Sequence, residues 1–417
     1  MVNVAVLGYG TVGSGVVEVL SRNADVLKKS AGQEINLKYV LDLKEFPGTP
    51  IENKVVHDFN IILNDNDVSV IVEVMGGVNP AYSFVKSALL KGKSVCTSNK
   101  ELVAKHGAEL LGIAREKGVN FFFEASVAGG IPIIRPLEQC ITADEILEVS
   151  GILNGTTNFI LTKMEKEGAS YDEVLAQAQR LGYAERNPEA DVEGFDAGRK
   201  IAILSSIVSR RQVDFENVYT EGITKVSADD FAYAAKLGVT IKLVAKSCVT
   251  PEGMYVMVTP RMLRYGRPLA SVHDVVNAVC VKGNMLGDVM FYGAGAGKLP
   301  TASAVVSDIV DAVRHADGHV NNGWSQEKKE LISIDEVENC FYVRIEGNAA
   351  EREEELEKLF GGVTICDNVI DGEFAFVTGS IKEAEFAKAA CSIKGIKNTI
   401  RIESVSYTHL RAHETEL

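Results

Sequence analysis

The stretch Val2-Asn3-Val4-Ala5-Val6-Leu7-Gly8-Tyr9-Gly10-Thr11-Val12-Gly13 decides how the chain folds. Residues 2–7 are almost all apolar and rich in valine, as a buried strand requires, and residues 16–20 beyond the glycines have helical spacing. At the spacing Gly-x-Gly-x-x-Gly, glycines allow a tight turn, close approach of a ligand to the backbone, and close packing of helix on strand. The helix N-terminus meanwhile presents unpaired N–H groups to an anion. Strand, glycine turn and helix in this order predict that Gly8, Gly10, Thr11, Val12 and Gly13 hold the pyrophosphate of a dinucleotide; a turn that only packs helix on strand would use the same glycines.

Working outward, apolar runs at 35–43, 68–74, 94–97 and 120–123 alternate with helical or irregular stretches, the pattern of a parallel sheet wrapped by helices. This predicts an α/β fold with a Rossmann-type dinucleotide-binding domain over 1–135. Helical patterns at 171–181 and 194–208 mix with strand-like stretches at 146–153, 242–249 and 254–258, which predicts an α+β domain over 136–297. The glycine-rich Gly293-Ala294-Gly295-Ala296-Gly297-Lys298 leads into a helical pattern at 301–313, so that 298–325 packs back on the first domain. Asn321-Asn322-Gly323 reads as a linker, and 338–405 has the order βαββαβ of a small third domain. Residues 406–417 have no pattern continuous with the rest and read as a disordered or non-native extension.

At roughly 150 residues per domain, 417 residues suffice for two or three domains with a sizeable core. The 43 Lys and Arg against 57 Asp and Glu leave a formal charge of −14, while 46% hydrophobic and 24% charged residues are ordinary globular usage. Disordered, collagen-like and coiled-coil classes are excluded. An acidic chain without a Lys/Arg run lacks the field that nucleic-acid binding needs. No basic segment precedes the apolar residues 2–7, and no stretch approaches the roughly 18 uncharged residues of a membrane helix. A soluble, cytoplasmic protein with neither nucleic-acid nor membrane partner is expected. Cys96, Cys140, Cys248, Cys280, Cys340, Cys366 and Cys391 form no CxxC pair and are expected to be reduced and mostly buried.

After the second strand comes Leu41-Asp42-Leu43-Lys44. An acid here can bond the ribose 2′-hydroxyl of NAD and repel a 2′-phosphate, whereas Lys44 would attract that phosphate; NAD and NADP both stay open, with Asp42 favouring NAD. Thr97-Ser98-Asn99-Lys100 lies past a strand's carboxyl end, where open α/β sheets bind ligands, so Asn99 and Lys100 can reach cofactor or substrate. Lys100 would otherwise be a solvated lysine at a helix start. The most informative run is Gly182-Tyr183-Ala184-Glu185-Arg186-Asn187-Pro188-Glu189-Ala190-Asp191-Val192-Glu193-Gly194-Phe195-Asp196-Ala197-Gly198-Arg199-Lys200. On a helix Asp196 and Lys200 are i and i+4, and the same face continues through Ile203, Leu204 and Ile207. The ion pair therefore lies on the buried face, where a lysine is costly unless paired and becomes a candidate acid or base.

These stretches occur in order with Gly151-Ile152-Leu153-Asn154-Gly155-Thr156-Thr157-Asn158 and Leu299-Pro300-Thr301-Ala302-Ser303-Ala304. On them the chain resembles the homoserine dehydrogenase family over nearly all of residues 1–330. The resemblance implies NAD(P)(H)-dependent, reversible reduction of L-aspartate 4-semialdehyde to L-homoserine, on the route to threonine, methionine and isoleucine. It implies that Lys200 gives the proton to the aldehyde oxygen, with Lys100 its cationic neighbour at the nicotinamide side. Glu185 and Asp196 would bind the substrate's amino and hydroxyl groups, and Asp191, Tyr183 and Thr156 would line the pocket. Gly182, Gly295 and Gly297 would approach the cofactor together with Asn99. Glu124 with the backbone of Val127, Gly129 and Ile131 matches the family's loop for a monovalent cation, Na+ or K+. A developing alkoxide needs a nearby acid, and a buried lysine tuned by carboxylates and a second lysine supplies one.

The family also implies that 136–297 carries dimerisation, in a homodimer or homotetramer. Two positions depart from its pattern: Asn187 replaces a common acid, and Leu41 stands near the place of an NADPH-binding arginine. Residues 338–405 resemble an ACT regulatory domain, implying threonine as an allosteric ligand, with Gly347-Asn348-Ala349-Ala350 replacing the usual acidic-proline-glycine turn. Two other readings remain. A semialdehyde dehydrogenase would use Cys96 as nucleophile, but no histidine is near it in sequence. A dinucleotide sensor without catalysis would leave the buried Asp196/Lys200 pair unused.

Overall fold

The computed structural model describes residues 1–320 and 323–403. The segment 406–417, and Asn321 and Asn322 of the linker, lie outside the described residues. Strands β1 Val2–Leu7, β2 Ile35–Leu41, β3 Val55–Val56, β4 Val68–Glu73, β5 Ser94–Thr97 and β6 Phe121–Phe122 form a parallel sheet in the order β3-β2-β1-β4-β5-β6. This is the doubly wound order, and its switch point falls between β1 and β4. Val4 and Val6 pack on one face while Ala5 and Leu7 pack on the other. A strand covered on both faces reads as a continuous apolar run, which is why it was legible.

Helix α1 Thr11–Arg22 follows β1, α2 Ala81–Leu90 follows β4, and α3 Lys100–Lys117 follows β5. The Asn99 side chain accepts from Leu102 N to start α3, and Gly118 in the left-handed region ends it. Next come α4 Gly155–Glu167, capped by Asn154, α5 Tyr171–Arg180, opened by a Ser170/Glu173 capping box, and α6 Phe195–Ser209. Helix α7 Lys298–Arg314 returns to the first sheet. Its Ala302, Val305 and Ile309 share one core with Val4, Val6, Val16 and Cys96.

A second, mixed sheet holds β7 Ile146–Ile152, β8 Val239–Thr250, β9 Gly253–Arg264, β10 Val276–Gly283, β11 Gly287–Ala294, β12 Glu338–Glu346, β13 Val363–Cys366, β14 Glu373–Thr378 and β15 Ile396–Ile402. Their order is β11-β10-β7-β8-β9-β15-β12-β14-β13. With helices α8 Ala349–Phe360 and α9 Glu383–Ala390, the C-terminal segment runs β12-α8-β13-β14-α9-β15, with the two-residue strand Ile381–Lys382 paired to β12 before α9. It is continuous with the middle of the chain, because β15 pairs in parallel with β9 through Arg261↔Arg401 and Met262↔Ile402. The β10–β11 hairpin was not visible as a periodic pattern, since β11 is nowhere fully buried.

The expectation of mostly buried cysteines is corrected. All seven are free thiols, but only Cys96 and Cys366 are buried; Cys140 and Cys391 are exposed where short helices end, and Cys248, Cys280 and Cys340 sit on partly covered sheet faces. Burial pushes the Cys96 thiol well above its ordinary pKa, the opposite of an activated nucleophile. Among the described residues no helix is long and apolar enough to cross a membrane.

Candidate active site

At the switch point, Gly8 turns the chain with φ +95° and α1 begins at Thr11, its second residue being Val12. A Cβ on Gly13 would fall 1.9 Å from the Gly8 carbonyl oxygen, so this crossing of helix and strand requires glycine. Around Gly10 nothing lies within 4 Å of such an atom, and the backbone is open to a ligand. Asp42 is held at the rim: Tyr9 N donates to Oδ2 at 2.8 Å and Lys44 N to Oδ1 at 3.0 Å. A cleft of about 480 Å³ opens here, lined by Gly8, Gly10, Asp42, Lys44, His57 and Met75. His57 was not foreseen. The Asp42 carbonyl and the Glu45 carboxylate, each 2.7 Å from one ring nitrogen, raise its pKa.

The next strand ends supply an anchoring step. Glu73, closing β4, accepts from Thr97 Oγ1 at 2.7 Å and from Met75 N at 2.8 Å, while Asn99 N donates to Thr97 Oγ1 and Asn99 Nδ2 to Gly77 O. Glu73 is fully buried, and burial raises its pKa against these bonds. This hub fixes the start of α3 and hence Lys100. Only the acidic residue inside an apolar strand hinted at it.

Lys100 does not point to solvent alone. Its Nζ lies 2.9 Å from Asp196 Oδ1, while Lys200 Nζ lies 2.6 Å from Asp196 Oδ2 and donates to Leu153 O at 2.7 Å. Asn154 Nδ2 donates to Asp196 Oδ2 at 2.9 Å and to Asp191 Oδ1 at 2.7 Å. Burial alone would push the Asp196 pKa up, but the two lysine charges and the Lys200 and Asn154 bonds hold the carboxyl well below the usual range. The Asp196 charge keeps the Lys100 ammonium protonated to higher pH than an ordinary lysine. At Asp191 burial prevails and the pKa rises. Helix α6 places Asp196 in its first turn, where its macrodipole favours a carboxylate.

Lys100, Asp191, Asp196 and Lys200, all candidates from the sequence, are brought together in one cluster. The sequence missed Asn154 and the Leu153 carbonyl as partners. An Asn after a strand and before Gly-Thr-Thr signals a helix cap, which Asn154 is, accepting from Thr157 N at 2.9 Å; its bridge between Asp191 and Asp196 had no local signal. Thr156 Oγ1 donates to Tyr183 O at 2.6 Å, and the Tyr183 ring stands edge-on to Phe159. Gly182, at φ +76°, and Glu185 lie exposed on the turn after α5, and the Glu185 side chain is not bonded to the lysine cluster.

The Glu124 carboxylate accepts from the N–H groups of Ile133, Ile134 and Arg135 at 2.6, 2.8 and 2.9 Å. The carbonyls of Val127, Gly129 and Ile131, all on buried residues, accept no hydrogen bond among the described residues. Such carbonyls are suitable ligands for a monovalent cation. This loop abuts the glycine run before α7: a Cβ on Gly129 would fall 2.4 Å from the Gly295 carbonyl oxygen. Gly297, at φ +121°, caps α7.

A family model described as "Homoserine dehydrogenase" matches residues 132–310, and one described as "Homoserine dehydrogenase, NAD binding domain" matches residues 8–124. The homoserine dehydrogenase of Bacillus subtilis is 44% identical over 320 residues, covering 75% of this chain and 73% of the relative. A solved homoserine dehydrogenase from Thiobacillus denitrificans aligns with TM-score 0.89 and 35% identity over 97% of this chain and 99% of its own. A hyperthermophilic archaeal homoserine dehydrogenase in complex with NADPH aligns with TM-score 0.63 and 29% identity over 75% of this chain and 97% of its own. With both family models matched and a relative aligned over most of its length, the chain belongs to the homoserine dehydrogenase family, NAD(P)-dependent oxidoreductases that act on a CH–OH group.

Proposed function

We propose that the chain interconverts L-homoserine and L-aspartate 4-semialdehyde through the Lys100, Asp196 and Lys200 cluster. The observation that carries this reading is the buried Asp196 carboxylate with one lysine ammonium on each oxygen. An ammonium has three N–H donors. Lys200 uses two, on Leu153 O and Asp196, and the third serves the substrate oxygen. In the reductive direction Lys200 gives its proton there as an alkoxide develops; in the oxidative direction it takes it back. Lys100 adds positive charge beside that oxygen, and Asp196 fixes both cations. Glu185 and Asp196 are assigned to the substrate's amino and hydroxyl groups, with Asp191, Tyr183 and Thr156 lining the pocket around them. The nicotinamide cofactor, when bound, supplies or accepts the hydride. Gly8, Gly10, Thr11, Val12 and Gly13 would receive its pyrophosphate and Asp42 with Lys44 its ribose, while Asn99, Gly182, Gly295 and Gly297 would approach it. NADPH, present in the archaeal relative, and NAD are both candidates.

The same proposal divides the chain into a cofactor domain over 1–135 with 298–325, a catalytic and dimerisation domain over 136–297, and an ACT-like domain over 338–405. It includes a Na+ or K+ ion at the Glu124, Val127, Gly129 and Ile131 loop, threonine as an allosteric ligand, a homodimer or homotetramer, and a cytoplasmic place in the synthesis of threonine, methionine and isoleucine. The test is the initial rate with L-homoserine and either NAD+ or NADP+, followed by nicotinamide absorbance. Turnover with one of them is expected. Silence with both, in a folded chain that binds dinucleotide, would favour a sensor.

A further inference from the structure

A segment remote from the reacting groups touches both the catalytic helix and the C-terminal βαββαβ unit. Tyr219–Thr220 pairs in parallel with Met257 and Val258 of β9, and Glu221 N donates to Val258 O at 2.8 Å. On its other side Ile223 N donates to Val192 O at 2.8 Å, and Thr224 Oγ1 donates to a Glu193 carboxylate oxygen at 3.1 Å. A Cβ on Gly222 would fall 2.4 Å from Val192 O, so the two backbones meet with no side chain between them. Val192 and Glu193 directly follow Asp191, and Gly194 opens the helix that carries Asp196 and Lys200. Residues 219–224 are thus the floor on which the 191–194 turn rests.

Of two buried arginines of the C-terminal unit, Arg401 holds this floor and Arg344 the start of the helix Ala228–Lys236 that follows it. Arg401 on β15, 4% exposed, reaches Glu221 at 2.7 Å and both oxygens of Glu383 at 2.6 and 2.7 Å. It also donates to Tyr219 Oη at 3.3 Å and lies over the Tyr219 ring. Arg344 on β12 grips the following turn at Asp229, Asp230 and Ser227, at 2.8, 3.0 and 3.1 Å. A planar guanidinium bound by two carboxylates fixes direction as well as distance. If it is removed, the Glu221 carboxylate loses its ion-pair partner and the 219–224 segment its lateral anchor.

We propose that Arg401 is a positioning residue for homoserine: through Glu221 and Tyr219 it sets the 191–194 turn, and with it the place of Asp191 relative to Lys200. The proposal rests on the assignment of Asp191 to the substrate. Steady-state kinetics of the full chain test it, with the variants Arg401→Met, Glu221→Gln and Asp191→Asn. A hydrogen bond to a charged binding group that is weakened by displacement costs affinity, so the KM for homoserine is expected to rise roughly tenfold in Arg401→Met and several-fold in Glu221→Gln. The KM for the cofactor should stay within about twofold of the parent, and the double variant Arg401→Met/Glu221→Gln should be no worse than Arg401→Met, because both act through one contact. A merely structural role would lower kcat with the folded fraction and leave the homoserine KM unchanged, which overturns the proposal. If Arg401→Met does not fold, the near-isosteric Glu221→Gln decides alone, and an unchanged homoserine KM there overturns it. Asp191→Asn separates two kinds of failure. An unchanged KM in that variant overturns the substrate assignment, whereas a raised KM there with normal values in the other two overturns only the link through Arg401.

Discussion

Asp196 sets the charge balance of the site residue by residue. Its two oxygens anchor two ammonium groups that would otherwise repel each other across the pocket, and Asn154 ties it to Asp191. Removing one member therefore changes the others. Lys200→Ala deletes the proton donor yet leaves the glycine loop untouched, so kcat should fall by about 10²–10⁴-fold while the dissociation constant for dinucleotide, measured by fluorescence titration, stays at the parent value. A kcat within tenfold of the parent would remove Lys200 from the proton-transfer role. Asp196 and Lys200 were legible at this scale because both stand on the apolar face of one helix. Asn154 was not, because its two carboxylate partners are 37 and 42 residues away.

Among the elements, the turn from β1 to α1 is the most tightly determined. Gly13 has no room for a methyl group and Gly10 has ample room, so the two positions should fail differently. In Gly13→Ala the new carbon meets a backbone oxygen, the turn must open, and both melting temperature and cofactor binding should drop, the former in line with the about 1–3 kcal/mol of an overpacked site. Gly10→Ala should fold normally and lose only affinity, since its methyl occupies the space of the ligand. Calorimetric melting with and without dinucleotide distinguishes them; equal melting temperatures for the two variants would contradict the geometry. Strands buried on both faces, helices with an apolar face and glycine turns were visible in the sequence. The hairpin at β10 and β11 and the short strand Tyr219–Thr220 were not, because Val289-Met290-Phe291-Tyr292 runs apolar without alternating and two residues are too few to display a period.

Across the whole molecule, ionisable side chains tie distant segments together. Glu138 accepts a short hydrogen bond from Gly323 N, and Arg210 donates to the Gly323 carbonyl at 3.2 Å, so both fasten the chain as it leaves α7 for the C-terminal unit. Burial pushes the Glu138 carboxyl up from 4.5 to about 7, against the bond from Gly323. A carboxyl whose folded pKa exceeds its unfolded one favours folding below the unfolded value, and that advantage is lost as pH rises from about 4.5 to about 7. The loss is at most about 3 kcal/mol. Glu138→Gln keeps the acceptor and removes the titration. It should melt higher than the parent at pH 8 and nearly alike at about pH 4, below the unfolded value, as read by scanning calorimetry at both values. A melting difference that does not change with pH would show that Glu138 does not titrate in this range.

The sequence alone determined the doubly wound sheet, the glycine turn, the βαββαβ order of the C-terminal segment and the Asp196/Lys200 pair. Each rests on local spacing, and the period of a helix or strand is written within a dozen residues. Only the tertiary structure decided that Lys100 and Lys200 share one carboxylate, that Asn154 links Asp191 to it, and that β15 joins β9 so that Arg401 reaches Glu221. These pairings join residues from about 40 to 180 positions apart, and which of them form depends on how whole faces pack and on which buried charges find partners.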